Sequence, residues 1–450
     1  MKLLRVFLLL LFPVAAFAKP NVLIIIGDDV GYDAFGCTGN TFAKTPEVDR
    51  LAGESLVFDR FYGTVSQCAP IRAELYTGLF PVNNGVLSNG TRIKVDGVKS
   101  VVDHLEPLGY RVGLTGKLHF SKGTRFRTVQ GFPSGANSSI DAYSLDGVRS
   151  FITETHAAEQ AFCLVIGSIH AHHPWDLGEQ DAFPAAEVPV PPQYVDTPTT
   201  RQAILRHAAE VELLDKQVGD LRRLLSEMSL TNDTLLIFLS EQGIAMPRAK
   251  WSIYDKGNRS LAVFHWPGQI QSGRTTAMGQ YCDVVPTLID LGGGEDAKLD
   301  GFSLRPVLEG TRKTHRQSVY LSNVNPTWQR AIIRDDWKLV WSPAREHRHL
   351  MGHFDSKQTD PAKGKFFTGA WKEWEALAES DSAAANKVNH VTSPDEFELY
   401  RIDRDYGEVN NLASNPEYGT KVQSMFGQLK TIMAKLGDPV YAPKAKKKKR

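Results

Sequence analysis

"NVLIIIGDD", Asn21 to Asp29, sets the reading of the whole chain. Five apolar residues in a row, four of them β-branched, are too short for an ordinary helix and show no polar alternation. A run of this kind fits a strand buried on both faces, as in a parallel sheet covered by helices. Two carboxylates, Asp28 and Asp29, follow it immediately.

The same grammar recurs in "YRVGLTG" (Tyr110–Gly116), "FCLVIGSI" (Phe162–Ile169) and "DTLLIFLS" (Asp233–Ser240). Helix-like stretches separate these runs, among them "TPEVDRLAGES" and the long amphipathic segment Thr199–Met228. Strands alternating with helices predict an α/β domain built on a mostly parallel sheet. After about Leu304 the character changes: "SVYLSNV", "WQRAIIRDDWKLVWS" and "EFELYRID" read as shorter antiparallel strands, followed by a terminal helix. The expected organisation is a catalytic domain over 19–305, a smaller α+β subdomain over 306–440, and a basic tail over 441–450. Within the subdomain, Ala344–Asp395 reads as a polar, irregular insert with one helix at "AWKEWEALAES" and a candidate role in shaping the substrate pocket.

The first eighteen residues pair Lys2 and Arg5 with a short apolar run and small residues at Ala16 and Ala18. That pattern predicts a secretory signal peptide cleaved after Ala18, because the apolar run is too short to span a bilayer. The protein is therefore expected to be exported, to the periplasm or outside the cell, with no transmembrane segment. Of 450 residues, 42% are hydrophobic and 23% charged, which supports a large core. Without the six basic residues of Lys444–Arg450 and the two of the leader, the body holds 44 basic against 51 acidic residues, about −7. An acidic body gives no support to nucleic-acid binding, and the basic tail reads as a solvated end. Four widely spaced cysteines do not form a small-domain disulfide framework. Cys163 and Cys282 lie in core-like patterns, whereas Cys68 does not.

In open α/β sheets, ligands bind outside the carboxyl ends of the strands. Each predicted strand delivers chemistry there: Asp28 and Asp29; Lys117 and His119; His170, His172 and His173; then Glu241 and Gln242, with Lys250 beyond. Carboxylates with an amide carbonyl suit a hard cation such as Ca²⁺, with zinc as the competing choice because imidazoles are present. Arg72, Lys117 and Lys250 would serve no purpose around a metal alone but fit a bound anion. In "TVSQCAPIRAELYTG", Pro70 suits the first turn of a helix ending at Gly78. Cys68 then sits at a helix N-terminus, where a thiolate would be a competent nucleophile. These residues together predict a hydrolase of anionic esters with a metal and a special cysteine.

"CAPIR" with "TG" following resembles the C-x-P-x-R signature of the type I sulfatases, and the resemblance covers nearly the whole mature chain. "NVLIIIGDDVGYDAFGCTGN", "TGKLHF" and "YDKGNRSLAVFHWPG" are similar to further blocks of that family. "ELYRIDRDYGEVNNLASNPEY" resembles its C-terminal segment, with Tyr406 in place of the usual proline. "HAHHPW" and "FTGAWKEWEAL" look most like the branch of N-sulfoglucosamine sulfohydrolase and the heparan sulfatases.

The resemblance implies an alkaline-phosphatase-like sandwich and oxidation of Cys68 to Cα-formylglycine by a formylglycine-generating or sulfatase-maturing enzyme. It implies a hydrate at position 68 that takes up the sulfuryl group covalently before releasing sulfate. Metal ligands would be Asp28, Asp29, the modified Cys68, Glu241 and Gln242. Arg72, Lys117 and Lys250 would stabilise sulfuryl charge and His119 would orient the hydrate. His172, at the histidine of the family's "DPHxPW" string, would protonate the leaving group with Lys250, and Arg72, Lys117, His172 and Lys250 would bind substrate. His170 and His173 fall at other positions of that string and receive no catalytic role. The family reads "SDHG" or "SDNG" where this chain has "SEQG", so Glu241 and Gln242 each carry an extra methylene.

The expected substrate is a sulfated saccharide, with N- or O-sulfated glucosamine of heparan type favoured. Alternatives are an arylsulfatase-like or other O-sulfatase on a different sulfated polysaccharide, and a low-activity carbohydrate-binding descendant created by "SEQG". A phosphoryl hydrolase is a third, opposed by "CAPIR".

Overall fold

The structure, a computed structural model, describes residues 19–90, 97–120, 125–135, 142–179, 183–295, 297–323, 328–343 and 370–440. The expected signal peptide, basic tail and first half of the insert lie outside these residues. No helix among the described residues is long and apolar enough to cross a membrane.

Eight strands form the large sheet: β1 (Asn21–Ile26), β2 (Leu56–Tyr62), β3 (Tyr110–Gly116), β4 (Arg127–Thr128), β5 (Ala161–Gly167), β6 (Thr234–Leu239), β7 (Arg259–His265) and β8 (Gly273–Gln280). Their order is β4-β3-β5-β1-β6-β7-β2-β8, with β1 at the centre, parallel to β5 and β6 on its two sides. Only β7 runs against its neighbours, antiparallel to both β6 and β2. Helices of eight residues or more are α1 (Pro46–Gly53), α2 (Cys68–Thr77), α3 (Asp146–Ala157), α4 (Pro198–Glu227), α5 (Val284–Leu291), α6 (Ala370–Ala378), α7 (Ser382–Thr392) and α8 (Gly419–Leu436).

Successive strand residues point to opposite faces, which divides the apolar run of β1 between two cores. Leu23 and Ile25 join Leu164, Ile166, Leu236 and Phe238 beneath Leu214, Val218 and Leu221 of α4. Val22, Ile24 and Ile26 join Val165, Leu235 and Ile237 beneath Ile71 and Leu75 of α2 and Val285 and Leu288 of α5. Each such fully buried aliphatic side chain contributes roughly 1.5–3 kcal/mol. Helix α4 starts at Pro198, where the Thr197 hydroxyl oxygen accepts the Thr200 N–H.

The second sheet is antiparallel, in the order β12-β11-β10-β9, from β9 (Val319–Ser322), β10 (Arg330–Arg334), β11 (Trp337–Trp341) and β12 (Phe397–Arg401). One face carries Tyr320, Ile332, Leu339 and Leu399 against Met425, Leu429 and Met433 of α8. The other carries Val319, Leu321, Ile333 and Val340 against Ile253 and Tyr254 of the large domain. The insert differs from its sequence reading. Its described part is a pair of helices, α6 and α7, whose Trp371, Trp374, Ala384 and Val391 complete the core on the α4 side. Trp374 donates its indole N–H to Thr200 of α4 (2.8 Å). A tryptophan pair pointing inward explains why so polar a segment folds back onto the large domain.

Candidate active site

The carboxyl ends of β1, β3 and β6 converge on the first turn of α2. This helix begins at Cys68 and ends with Gly78 at φ 67°, the left-handed cap that glycine adopts without strain. One free N–H at its start, that of Ala69, is taken by Asn89 Oδ1 (3.0 Å). Cys68 and Arg72 are four residues apart and so share a face.

Every group here is buried except His172, which is partly exposed. Asp28 pairs with Lys117 and Asp29 pairs with Lys250, whose Nζ lies 2.5 Å from the carboxylate. Arg72 places Nε 2.5 Å from Glu241 Oε1 and donates to the Lys117 and Gly27 carbonyls (2.7 and 3.1 Å). Arg72 thus braces two strand ends as well as supplying charge. Gln242 donates to Asp29 Oδ1 (2.5 Å) and to Cys68 Sγ (3.2 Å), while Sγ is 3.6 Å from Asp29 Oδ1. His172 Nδ1 lies 2.7 Å from the His173 carbonyl, which can only accept, so Nδ1 carries hydrogen. Its Nε2 then faces Asp29, 3.9 Å away.

The backbone is strained where the chemistry sits. Asp29 (φ 59°), His119 (φ 43°) and Glu241 (φ 72°) all occupy the left-handed region, at a cost of about 1–3 kcal/mol each. The two acidic loops also approach closely. A Cβ on Gly243 would stand 1.8 Å from the Lys256 carbonyl oxygen, so the glycine after "SEQ" is required by contact alone.

Burial acts on each titratable group, and neighbours decide the outcome. Burial pushes Asp28 up, but Lys117, His172 and Arg72 outweigh it and hold the carboxylate well below its usual range. Burial would lower Lys250, yet Asp29, the Cys68 sulfur and Asp28 hold it above its ordinary value. Burial pushes Glu241 up to about 8 against the pull of Arg72, with Asp28 adding to the rise. Burial and then Lys117 press His119 down to about 4. His172 is lowered by burial and by Lys250.

The sequence expectation of a Cys68 thiolate fails here. Burial pushes the thiol up to about 12 in spite of Lys117 and Lys250, so the helix end does not ionise it. An unmodified Cys68 is a neutral, buried thiol.

Ligand atoms of Asp28, Asp29, Cys68 and Glu241 all lie within 4.8 Å of one another. Asp28 Oδ1 in this set, and the side-chain oxygen of the neighbouring Gln242, are buried and accept no hydrogen bond from the described residues. Buried acceptors without donors beside three clustered carboxylates fit a hard divalent cation better than zinc. Among the described residues, the imidazole grouped with members of this set is that of His172, alongside Asp29 and Cys68.

All ten sequence-predicted residues lie at or beside this strand-end cluster. Two contributors escaped the sequence reading. His207 of α4 places Nε2 2.9 Å from the Asp29 carbonyl, and the Tyr281 hydroxyl oxygen accepts the Glu241 N–H (2.9 Å). Neither lies at the end of an apolar strand run, so no local pattern announces them.

A large mixed α/β sheet with buried carboxylates and cations at one rim defines a hydrolase of the alkaline-phosphatase-like architecture. The sequence pattern of the Sulfatase family matches residues 20–294, and the chain belongs to that family of sulfuric ester hydrolases. It is 27% identical over 449 residues to an ulvan-active sulfatase of Formosa agariphila, covering 95% of this chain and 84% of that one. It is 25% identical over 488 residues to human N-sulphoglucosamine sulphohydrolase, covering 95% and 92%. Among solved structures it is similar to one in complex with its substrate D-glucosamine-2-N,6-O-disulfate, at TM-score 0.71 and 18% identity, covering 95% of this chain and all of that one. The phosphonate monoester hydrolase of Agrobacterium radiobacter also superposes, at TM-score 0.67 and 17% identity, covering 93% and 96%. These structural likenesses speak for the fold.

Proposed function

We propose that the chain is an exported, calcium-dependent sulfatase, matured by oxidation of Cys68 to formylglycine, that removes sulfate from sulfated saccharides. Sulfated glucosamine of heparan type is the favoured unit. The observation that carries this reading is the position of Cys68, buried between two lysine-paired aspartates at the start of α2. A neutral thiol there has no evident use as it stands, and the family's oxidised form gives the position one.

In this reading Asp28, Asp29, Glu241 and Gln242 would hold Ca²⁺ together with residue 68. The metal, when bound, would supply positive charge to the sulfuryl oxygens, and the hydrated aldehyde would supply the attacking hydroxyl. Lys117, Lys250 and Arg72 line the same space with charges fixed by their carboxylate partners, so they need no reorganisation as negative charge builds on the substrate. His172 is held in one tautomer by the His173 carbonyl, so that its Nε2 can carry a proton to the leaving oxygen or nitrogen. Lys250 stands beside it, its Nζ in contact with both oxygens of Asp29. His119 orients the group at position 68. Glu241 keeps the oxygen donor of the usual aspartate, and its longer arm is taken up by the contact to Arg72.

The division into a catalytic domain over 19–305 and a subdomain over 306–440 is part of the proposal. So is a dependence on a maturation enzyme. Two relatives suggest different polymers, one by its action on ulvan and the other by its action on N-sulphoglucosamine. A different sulfated polysaccharide is thus the second reading. The test is mass spectrometry of the peptide containing Cys68 from protein made in its host, combined with sulfate release from a panel of sulfated monosaccharides and heparin fragments. An unmodified thiol in an active preparation would sink the mechanism. Release from ulvan fragments alone would move the substrate assignment.

A further inference from the structure

A cavity of about 380 Å³ opens beside, and not within, the cluster around Cys68. Its walls come from Tyr32 and Asp33, from Pro189 and Pro191, from Lys256 and Arg259, and from Tyr406 of the C-terminal subdomain. A smaller annexe of about 70 Å³ runs inward from it to His207, the residue bonded to the Asp29 carbonyl. Asp33 lies four residues beyond Asp29, so the chain separates them by at most about 14 Å.

Charge in the cavity is unevenly cancelled. Asp33 is paired with Lys256, and Asp255 is paired with Lys338 (2.9 Å). Arg259 stacks on the Tyr32 ring, 3.8 Å from its centroid, and spends Nε on the Asp59 carbonyl (2.8 Å). It makes no ion pair among the described residues, although the body of the chain is acidic. A stacked guanidinium with its outer fork uncommitted is suited to a carboxylate or sulfate. Tyr406, an aromatic ring 62% exposed, lines the same cavity. An exposed ring that nothing in the core requires, next to proline walls and an uncommitted cation, suits the apolar face and anionic substituent of a sugar. The volume falls in the range of about 300–1,000 Å³ usual for small-ligand sites.

We infer that this cavity binds an uncleaved anionic sugar unit lying beyond the immediate neighbour of the sulfated unit that enters at Cys68, and so out of reach of a disaccharide. The inference rests on the proposed saccharide sulfatase function. It makes the enzyme a reader of chains and gives Tyr406 and Arg259 a part in specificity without any in the chemistry.

The experiment uses full-length protein made catalytically silent by Cys68→Ala and titrated with a fluorescent heparin octasaccharide and the matching disaccharide. Tyr406→Ala and Arg259→Lys are each added to that background, and separately to the active enzyme assayed on 4-nitrocatechol sulfate. Expected results are octasaccharide binding weakened about 10-fold in both variants, the worth of about 1.4 kcal/mol in lost contacts. Disaccharide binding and aryl sulfate turnover should stay within twofold. Octasaccharide affinity unchanged in both variants, or equal octasaccharide and disaccharide affinity in the parent, overturns the second site. Absence of sulfate release from every ester tested, with octasaccharide binding still sensitive to Tyr406, would instead refute the catalytic reading and keep the cavity.

Discussion

Two buried charge clusters lie within a few residues of each other, one holding Lys250 and the other Asp255. In the second, Lys338 of β11 bridges Asp255 (2.9 Å) and Glu408 (2.8 Å), and Glu408 also accepts the Asp255 N–H (2.6 Å). Glu398 of β12 takes the hydroxyls of Tyr254 (3.2 Å) and Tyr400 (2.6 Å). Arg248 lies 4.0 Å from the Tyr254 ring centroid and donates to the Glu408 carbonyl (2.6 Å). In this cluster every carboxylate meets a cation or a hydroxyl donor, with Arg248 Nε and Glu408 Oε1 falling short of a hydrogen bond among the described residues, and it ties the C-terminal sheet to the loop that carries Lys250. The cluster at Cys68 is different. Asp28 Oδ1 and the Gln242 oxygen lack donors among the described residues, and ligand atoms of Asp28, Asp29, Cys68 and Glu241 gather within 4.8 Å of one another. Buried carboxylates matched by cations serve architecture, whereas clustered acceptors left without donors mark a place for something else to bind.

The widest separation between the clusters should come from Cys68→Ala. Removal of a nucleophile costs on the order of 10⁴-fold or more in turnover. The side chain is small and makes no ion pair, so unfolding by urea should move by less than about 1 kcal/mol. Sulfate release and urea titration on the same preparation check both halves. A large loss of stability would place Cys68 in the architecture.

Lys338→Met should show the reverse. It strands Asp255 and Glu408 without their cation, and breaking a buried pair of this kind costs roughly 3–5 kcal/mol. Turnover per folded molecule at low temperature should fall far less than in Cys68→Ala. A loss of turnover as great as that of Cys68→Ala, with stability intact, would erase the distinction.

Glu241→Asp tests the odd pair in "SEQG". Glu241 reaches Arg72 Nε at 2.5 Å and the Asp29 N–H at 3.3 Å, and a side chain one methylene shorter retreats from both. Turnover should drop about 10-fold, within the range that small misplacements produce. A sharp rise would show that the extra methylene impairs the enzyme.

How far the sequence carried differs between these regions for physical reasons. β1, β3, β5 and β6 are buried on both faces, so unbroken apolar runs announce them, and the site residues follow at their ends. β2 and β8 went unassigned because "LVFDRFY" holds Asp59 and Arg60 inside the strand and "GRTTAMGQ" is half exposed. β7, the one reversed strand, lies within a stretch noted for its resemblance and not for its pattern. Helix α7 buries only Ala384 and Val391, too little for a visible stripe. The cluster around Asp255 was invisible altogether. Its members come from Arg248, Tyr254, Asp255, Lys338, Glu398, Tyr400 and Glu408, and no local spacing joins them. The Cys68 thiolate was misjudged because a helix end favours charge only where water or partners offset burial.

The smallest effect concerns Glu74, which shares α2 with Cys68 but faces away from the site. Its carboxyl accepts the Thr64 N–H and hydroxyl (both 2.9 Å) and the Cys282 N–H (3.3 Å), with no ion pair among the described residues. Burial outweighs these donors and pushes it up to about 7, from 4.5. The folded protein therefore holds this proton more tightly than the unfolded chain. Its contribution is complete below pH 4.5 and fades as the pH climbs through 7, by up to about 3 kcal/mol at 1.36 kcal/mol per pH unit. Glu74→Gln cannot ionise, so the stability advantage of the parent over this variant should shrink steadily between pH 4.5 and 7, read by urea unfolding at each pH. A constant difference across that window would mean that Glu74 stays ionised, and that hydroxyl and amide donors alone can close a buried carboxylate as well as Lys338 closes Glu408.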